Sequence, residues 1–185
     1  MTDVGSYAPV TLPKYTRPEY ERKFVVRSSA WKHQVQPYHK QFEDLYLAAG
    51  RMRLRAMTDS DTRSQTFKLC KKFASNSPYW QPIVNIYLSE AEYRQFSCLE
   101  GHRLSKTRYY HEYRGRTFSI DVFHGCLDPL VMCEVEADTL SELMDIQFPT
   151  YAVIEVTEDP FFTGGSLCRT TDSELTRKLD LMQIP

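Results

Sequence analysis

Glu19, Glu21 and Lys23 are spaced two apart in PEYERKFVV, residues 18–26. The tail of that stretch, Phe24, Val25 and Val26, favours a strand, and Pro18 suits a strand's first residue. Alternate side chains of a strand share a face, so two acids and a base project together. The same period returns along the chain. Arg51, Arg53 and Arg55 align in GRMRLRA, Lys68, Cys70 and Lys72 in TFKLCKK, Lys106 and Arg108 in RLSKTRYY, and Glu134 and Glu136 in MCEVEA. In FSIDVF, Asp121 takes one face and Ile120 and Val122 the other. Converging carboxylates hold hard cations such as Mg²⁺, arginine forks grip phosphate oxygens, and lysines act as point charges.

An antiparallel sheet with one wet face is the ordinary explanation of such alternation, and Glu19 with Lys23 would also suit an i,i+4 pair on a helix. The composition of the charged faces argues for something else. Three arginines, paired glutamates and Lys/Arg doublets are dense clusters of single sign, which repel unless opposite charges face them. Closing the sheet into a barrel sets acids across a lumen from bases and turns the apolar faces outward, against helices and loops. The expected inward acids are Glu19, Glu21, Asp121, Glu134 and Glu136. The expected inward bases are Lys23, Arg51, Arg53, Arg55, Lys68, Lys72, Lys106 and Arg108. With one divalent cation, the positive surplus matches a ligand of about four to five negative charges, such as a triphosphate chain. Hydrolysis of a phosphoanhydride then rests on positioning, charge and an oriented water.

The elements that would position these residues follow from local signals. Residues 1–17 contain Gly and Pro without periodicity and read as an extended N-terminal arm; residues 18–185 read as one domain. Strands are expected in FEDLYL, RMRLRAM, SQTFKLCKKF and IVNIYL, with ASNSPYWQP as a loop. Ser89 with Glu92 and Thr139 with Glu142 form capping-box patterns that open helices. RLSKTRYYHEY and RTFSIDVF form a hairpin turning at Arg114–Gly115; LVMCEVEAD and YAVIEV follow as strands. A turn at Gly164–Gly165 and a helix over about 172–182 end the chain. Strands joined by turns and short helices give an α+β class with an antiparallel sheet.

Composition sets the class of partner. A net charge of −1 argues against a generally basic nucleic-acid binder, and no apolar run is long enough to cross a membrane or act as a secretory signal. Five cysteines without a CxxC pair fit a reducing, cytoplasmic setting in which the thiols are small core residues. The five histidines are scattered without metal-ligand spacing, and Trp31, Trp80 and the tyrosines read as packing or tunnel-mouth residues. A homodimer is compatible with this reading.

The ordered strings EYERKFVV, RLSKTRY, IDVFHGCLDPLVMCEVEAD and EVTEDPFF resemble the motifs of the CYTH domain, the triphosphate tunnel metalloenzymes, over about 19–168. The short single-domain members that hydrolyse inorganic tripolyphosphate are the nearest in pattern. The resemblance implies a closed eight-stranded antiparallel β-barrel with a charged lumen, Mg²⁺ or Mn²⁺ dependence and a triphosphate-containing small molecule as substrate. It implies that Glu19, Glu21, Glu134 and Glu136 bind metal and, with Lys23, carry catalysis. Lys23, Arg53, Arg55, Lys68, Lys106 and Arg108 would clamp phosphate, with Asp121 supporting a basic neighbour. Glu155 would be a lumen acid or an orienting group.

Two departures bear on turnover. The family's R-x-E-x-E strand is replaced by Gln81-Pro82-Ile83-Val84-Asn85, and its tyrosine and asparagine after EVTxD by Phe162 and Gly164–Gly165. Capture of a triphosphate or nucleotide without turnover is the alternative function, and cyclisation of ATP, as in class IV adenylate cyclases, a third.

Overall fold

The computed structural model describes residues 13–26, 29 and 31–183. Most of the predicted arm, residues 1–12, therefore lies outside the described residues. Nine strands run in chain order: β1 (Arg17–Val26), β2 (His39–Leu47), β3 (Met52–Asp59), β4 (Gln65–Lys72), β5 (Trp80–Leu88), β6 (Gly101–Tyr113), β7 (Arg116–Phe123), β8 (Val131–Ala137) and β9 (Ala152–Glu155). The helices are α1 (Glu90–Phe96), α2 (Leu140–Met144), α3 (Gly164–Leu167) and α4 (Asp172–Leu181).

The sheet order is β5-β4-β3-β2-β6-β7-β8-β1-β9, every pairing antiparallel, and β5 also pairs with β1. That last pairing closes an eight-stranded barrel and leaves β9 as an extension along the far half of β1. The tight β6–β7 hairpin follows from Arg114 and Gly115, both at positive φ (51° and 75°), whose turn matches the right-handed twist of the strands.

The apolar faces look outward. Phe24, Val26, Phe118, Ile120, Cys133 and Val135 pack with Trp31, Leu143, Ile146 and Tyr151 beneath α2 and β9. On the opposite flank Leu45, Leu47 and Leu54 pack beneath Tyr93 and Phe96 of α1. Each fully buried large apolar side chain contributes about 1.5–3 kcal/mol relative to exposure, so these outer shells hold the barrel in shape. Ser89 and Glu92 do form a reciprocal capping box at α1, and Thr171 and Glu174 another at α4.

A third cluster breaks the alternation. Val25, Leu104, Phe123 and Met132 stand on the inward faces at one end and pack with Phe162, Leu167 and Leu175 of the C-terminal segment. These residues form an apolar plug that closes that end. The opposite end carries half-buried Lys40, Met57, Lys68 and Tyr110 and an exposed Tyr87, and is the solvent-facing mouth.

Three expectations change. β5 begins at Trp80, inside the expected loop, and holds Pro82 where it faces Pro18 of β1 at the barrel seam. Arg51 lies in the bend before β3 and is exposed, so it is not an inward base. The expected turn at Gly164–Gly165 is the opening of a short helix, α3.

Candidate active site in the barrel lumen

Register decides which side chains share the lumen. Across β1 and β8, Glu21 stands opposite Glu136 and Lys23 opposite Glu134. Across β7 and β6, Asp121 stands opposite Arg108; across β2 and β3, Asp44 faces Arg55 and Tyr46 faces Arg53; across β3 and β4, Arg55 faces Lys68. Glu19 of β1 faces Gln81 of β5. The structure thus brings together Glu19, Glu21, Lys23, Arg53, Arg55, Lys68, Lys106, Arg108, Asp121, Glu134 and Glu136. Glu155 is different: it pairs with Phe24, whose side chain faces outward. There its carboxylate accepts two hydrogen bonds from Arg22, at 2.9 and 2.6 Å, tying β9 to the outside of β1. Of the two expected roles of Glu155, lumen acid and orienting group, the first is corrected: the carboxylate is an outer clamp on Arg22.

Two aspartates with fully buried side chains organise the bases. Asp121 accepts both forks of Arg108 at 2.6 Å and also accepts from the Lys106 ammonium. Arg108 reaches on to Glu134, also at 2.6 Å. Burial pulls the Lys106 ammonium below the ordinary lysine value despite Asp121. Asp44, which the sequence reading missed, accepts both forks of Arg55 at 2.6 Å and lies 4.0 Å from Arg53 Nε. Burial raises its pKa, but Arg55 and Arg53 outweigh that and hold it down to about 2. Phe42, also missed, lies beneath the cations: Arg55, Arg108 and Lys106 stand 4.5, 5.3 and 5.9 Å from its ring centre, within cation–π range. The strand HKQFEDLYL mixes aromatic and charged residues on one face. The only signal available was the two-residue step Lys40, Phe42, Asp44, Tyr46.

The β1–β8 wall is acidic. Glu19 accepts from Lys72 at 2.6 Å; Glu21 pairs with Lys23 at 2.8 Å and with Lys72 at 3.6 Å. Burial raises the pKa of Glu134, yet Lys106, Arg108, Lys23 and Lys72 hold it well below the ordinary range. Glu21 is likewise lowered, its burial outweighed by Lys23 and Lys72. Glu136 goes the other way, raised by burial and then by Glu19, Glu21 and Glu134. A carboxylate crowded by three others is relieved by a cation, so this wall fits the charge requirement of a divalent metal. Among the described residues, however, no three carboxylate, imidazole or thiol groups are gathered as a ready metal site, and Lys23 and Lys72 stand among the acids.

The β5 wall is neutral. Gln81, Ile83, Asn85 and Tyr87 are its inward series, by register with Glu19, Lys72, Cys70 and Lys68. With Asp44 gained, Arg51 lost and the facing Lys40 and Asp59 of the rim set aside, the lumen holds Lys23, Arg53, Arg55, Lys68, Lys72, Lys106 and Arg108 against Glu19, Glu21, Asp44, Asp121, Glu134 and Glu136. The positive surplus is one charge, smaller than the sequence implied.

Comparison with known proteins bears on the fold. No family model matches the chain, and no curated protein matches it. Among solved structures, the inorganic triphosphatase NE1496 is 25% identical over 82% of this chain and 95% of its own, with a TM-score of 0.53. A second structure of NE1496 gives 24% identity, coverage of 83% and 99%, and a TM-score of 0.54. The PH1819 protein of Pyrococcus horikoshii OT3 shares the fold at 15% identity, covering 68% of this chain and 82% of its own, with a TM-score of 0.50. The closed barrel, its inward charges and these likenesses together make the chain a structural match to the CYTH-fold proteins, a triphosphatase among them.

Proposed function

We propose that this protein hydrolyses a triphosphate, with inorganic tripolyphosphate as the first substrate, inside the lumen and with Mg²⁺ or Mn²⁺. The observation that carries the reading is the convergence of seven lysines and arginines on one half-closed lumen beside four glutamates. The likeness to the inorganic triphosphatase NE1496 supports it. Arg53, Arg55, Lys68, Lys106 and Arg108 bind phosphate oxygens, and Lys23 and Lys72 move from the glutamates to the ligand. Asp44 and Asp121 hold the arginines and Lys106 in place before substrate arrives, which lowers the cost of binding. Glu19, Glu21, Glu134 and Glu136 would hold the metal, which supplies charge neutralisation on the transferring phosphoryl group. A reducing, cytoplasmic setting belongs to the same proposal and is supported by five free cysteines.

Incubation of the protein with Mg²⁺ and tripolyphosphate, ATP or thiamine triphosphate tests it. Phosphate or pyrophosphate release should exceed that of a Glu21→Ala control by about a hundredfold; equal release would remove the enzymatic reading, and cyclic product from ATP would redirect it to cyclisation. The neutral β5 wall favours one competing reading, capture without turnover. Tight calorimetric binding of tripolyphosphate with no product would establish that instead.

A further inference from the structure

Two adjacent glycines open α3, and only one of them is held. A Cβ on Gly164 would stand 1.9 Å from the Tyr46 hydroxyl oxygen and 2.7 Å from the ring carbon that bears it, whereas a Cβ on Gly165 would meet nothing within 4 Å. Neither glycine has positive φ, so Gly164 is required for space and not for backbone freedom. The plug thus bears directly on an inward residue of β2. Tyr46 lies in register with Arg53 on β3, so the two side chains stand side by side on the lumen face. Arg53 carries a buried donor that is left unused. Its Nε–H lies 4.0 Å from Asp44, and it is one of two buried side-chain polar atoms without a hydrogen-bond partner among the described residues. The other, Trp31 Nε1, lies in the outer core. A buried N–H left unpaired is costly, and a ligand oxygen would relieve it.

We infer that Tyr46, backed by Gly164, is a positioning residue that holds the Arg53 guanidinium so that its free Nε–H meets the phosphate lying deepest in the lumen, against the plug. This rests on the lumen being a triphosphate site. Arg53 has Asp44 on one side and Tyr46 on the other, and the Tyr46 hydroxyl lies directly against Gly164 of the closed end. The C-terminal segment therefore tunes affinity for the innermost phosphate without touching it.

The test compares Gly164→Ala, Gly165→Ala, Tyr46→Phe and Arg53→Lys in the full chain, with two readouts. In ligand-free ¹⁵N-labelled protein, the Arg53 Nε–H resonance, assigned by its loss in Arg53→Lys, should shift in Gly164→Ala and Tyr46→Phe and stay in place in Gly165→Ala. In the tripolyphosphate assay, Gly164→Ala should raise KM about tenfold with kcat changed less than about threefold, the signature of lost uniform binding. Tyr46→Phe should move KM in the same direction by less, and neither substitution should add to the KM of Arg53→Lys, since both act through Arg53. An unmoved resonance, or effects that add to Arg53→Lys, would overturn the inference. Should Gly164→Ala fail to fold, Tyr46→Phe decides alone. A shifted resonance in a protein that neither binds nor cleaves tripolyphosphate would leave the positioning role standing and bring down the functional reading.

Discussion

The two walls of the lumen treat their acids in opposite ways. On the side built from β2, β3, β6 and β7, Asp44 and Asp121 have no side-chain exposure, and each serves two bases. On the β1–β8 side the glutamates stay partly exposed, share lysines unevenly, and leave Glu136 among like charges. The first wall is complete as folded and holds its cations in fixed geometry. The second is electrostatically unfinished, as a wall built to receive a cation would be. Buried ion pairs are costly to break from one side only, so the first wall should govern stability and the second function.

That division can be broken by substitution. Asp121→Ala strands Lys106 and Arg108 and should cost about 3–5 kcal/mol in a denaturant titration. A loss below about 1 kcal/mol would show that Glu134 alone suffices for both. Acid should act through the same wall. Because Asp44 is held at about 2, its contribution is present above the unfolded value of about 3.9 and is lost as pH falls through about 2. The Asp44→Asn variant should therefore show a flatter stability profile across that window. On the other wall the sign reverses. Glu136 is raised, so its ionised form penalises the fold above its unfolded pKa, fully so above the raised one. Glu136→Gln in metal-free buffer should stabilise the protein at neutral pH by less than about 1 kcal/mol, since solvent screens so exposed a group. That gain should vanish at low pH and should become a deficit in triphosphate turnover once Mg²⁺ is supplied.

Most of the lumen was legible because β1, β3, β4, β6 and β8 repeat charge at every second residue, and the period of a strand then leaves little choice of face. The failures share one cause, local context that shifts the phase or blurs the contrast. Arg51 matches the phase of Arg53 and Arg55 but precedes the first residue of β3. Glu155 sits in a strand whose partner, Phe24, already faces outward, so pairing and not composition sends it outside. Asp44 was hidden because its face also carries Phe42 and Tyr46. The close approach of the plug to β2 was hidden because paired glycines read as a turn; for Gly164, the contact with a tyrosine from a distant strand explains it.

The barrel is fastened at one place differently from all others. β1 meets β5 over only four residue pairs, and the prolines at 18 and 82, facing each other there, have no amide proton to offer the ladder. The bond between Lys72 of β4 and Glu19 of β1 spans this join over the top of β5. A hoop with so short a weld uses that ion pair as its rivet, and an anion that draws Lys72 away would loosen the hoop where it is thinnest.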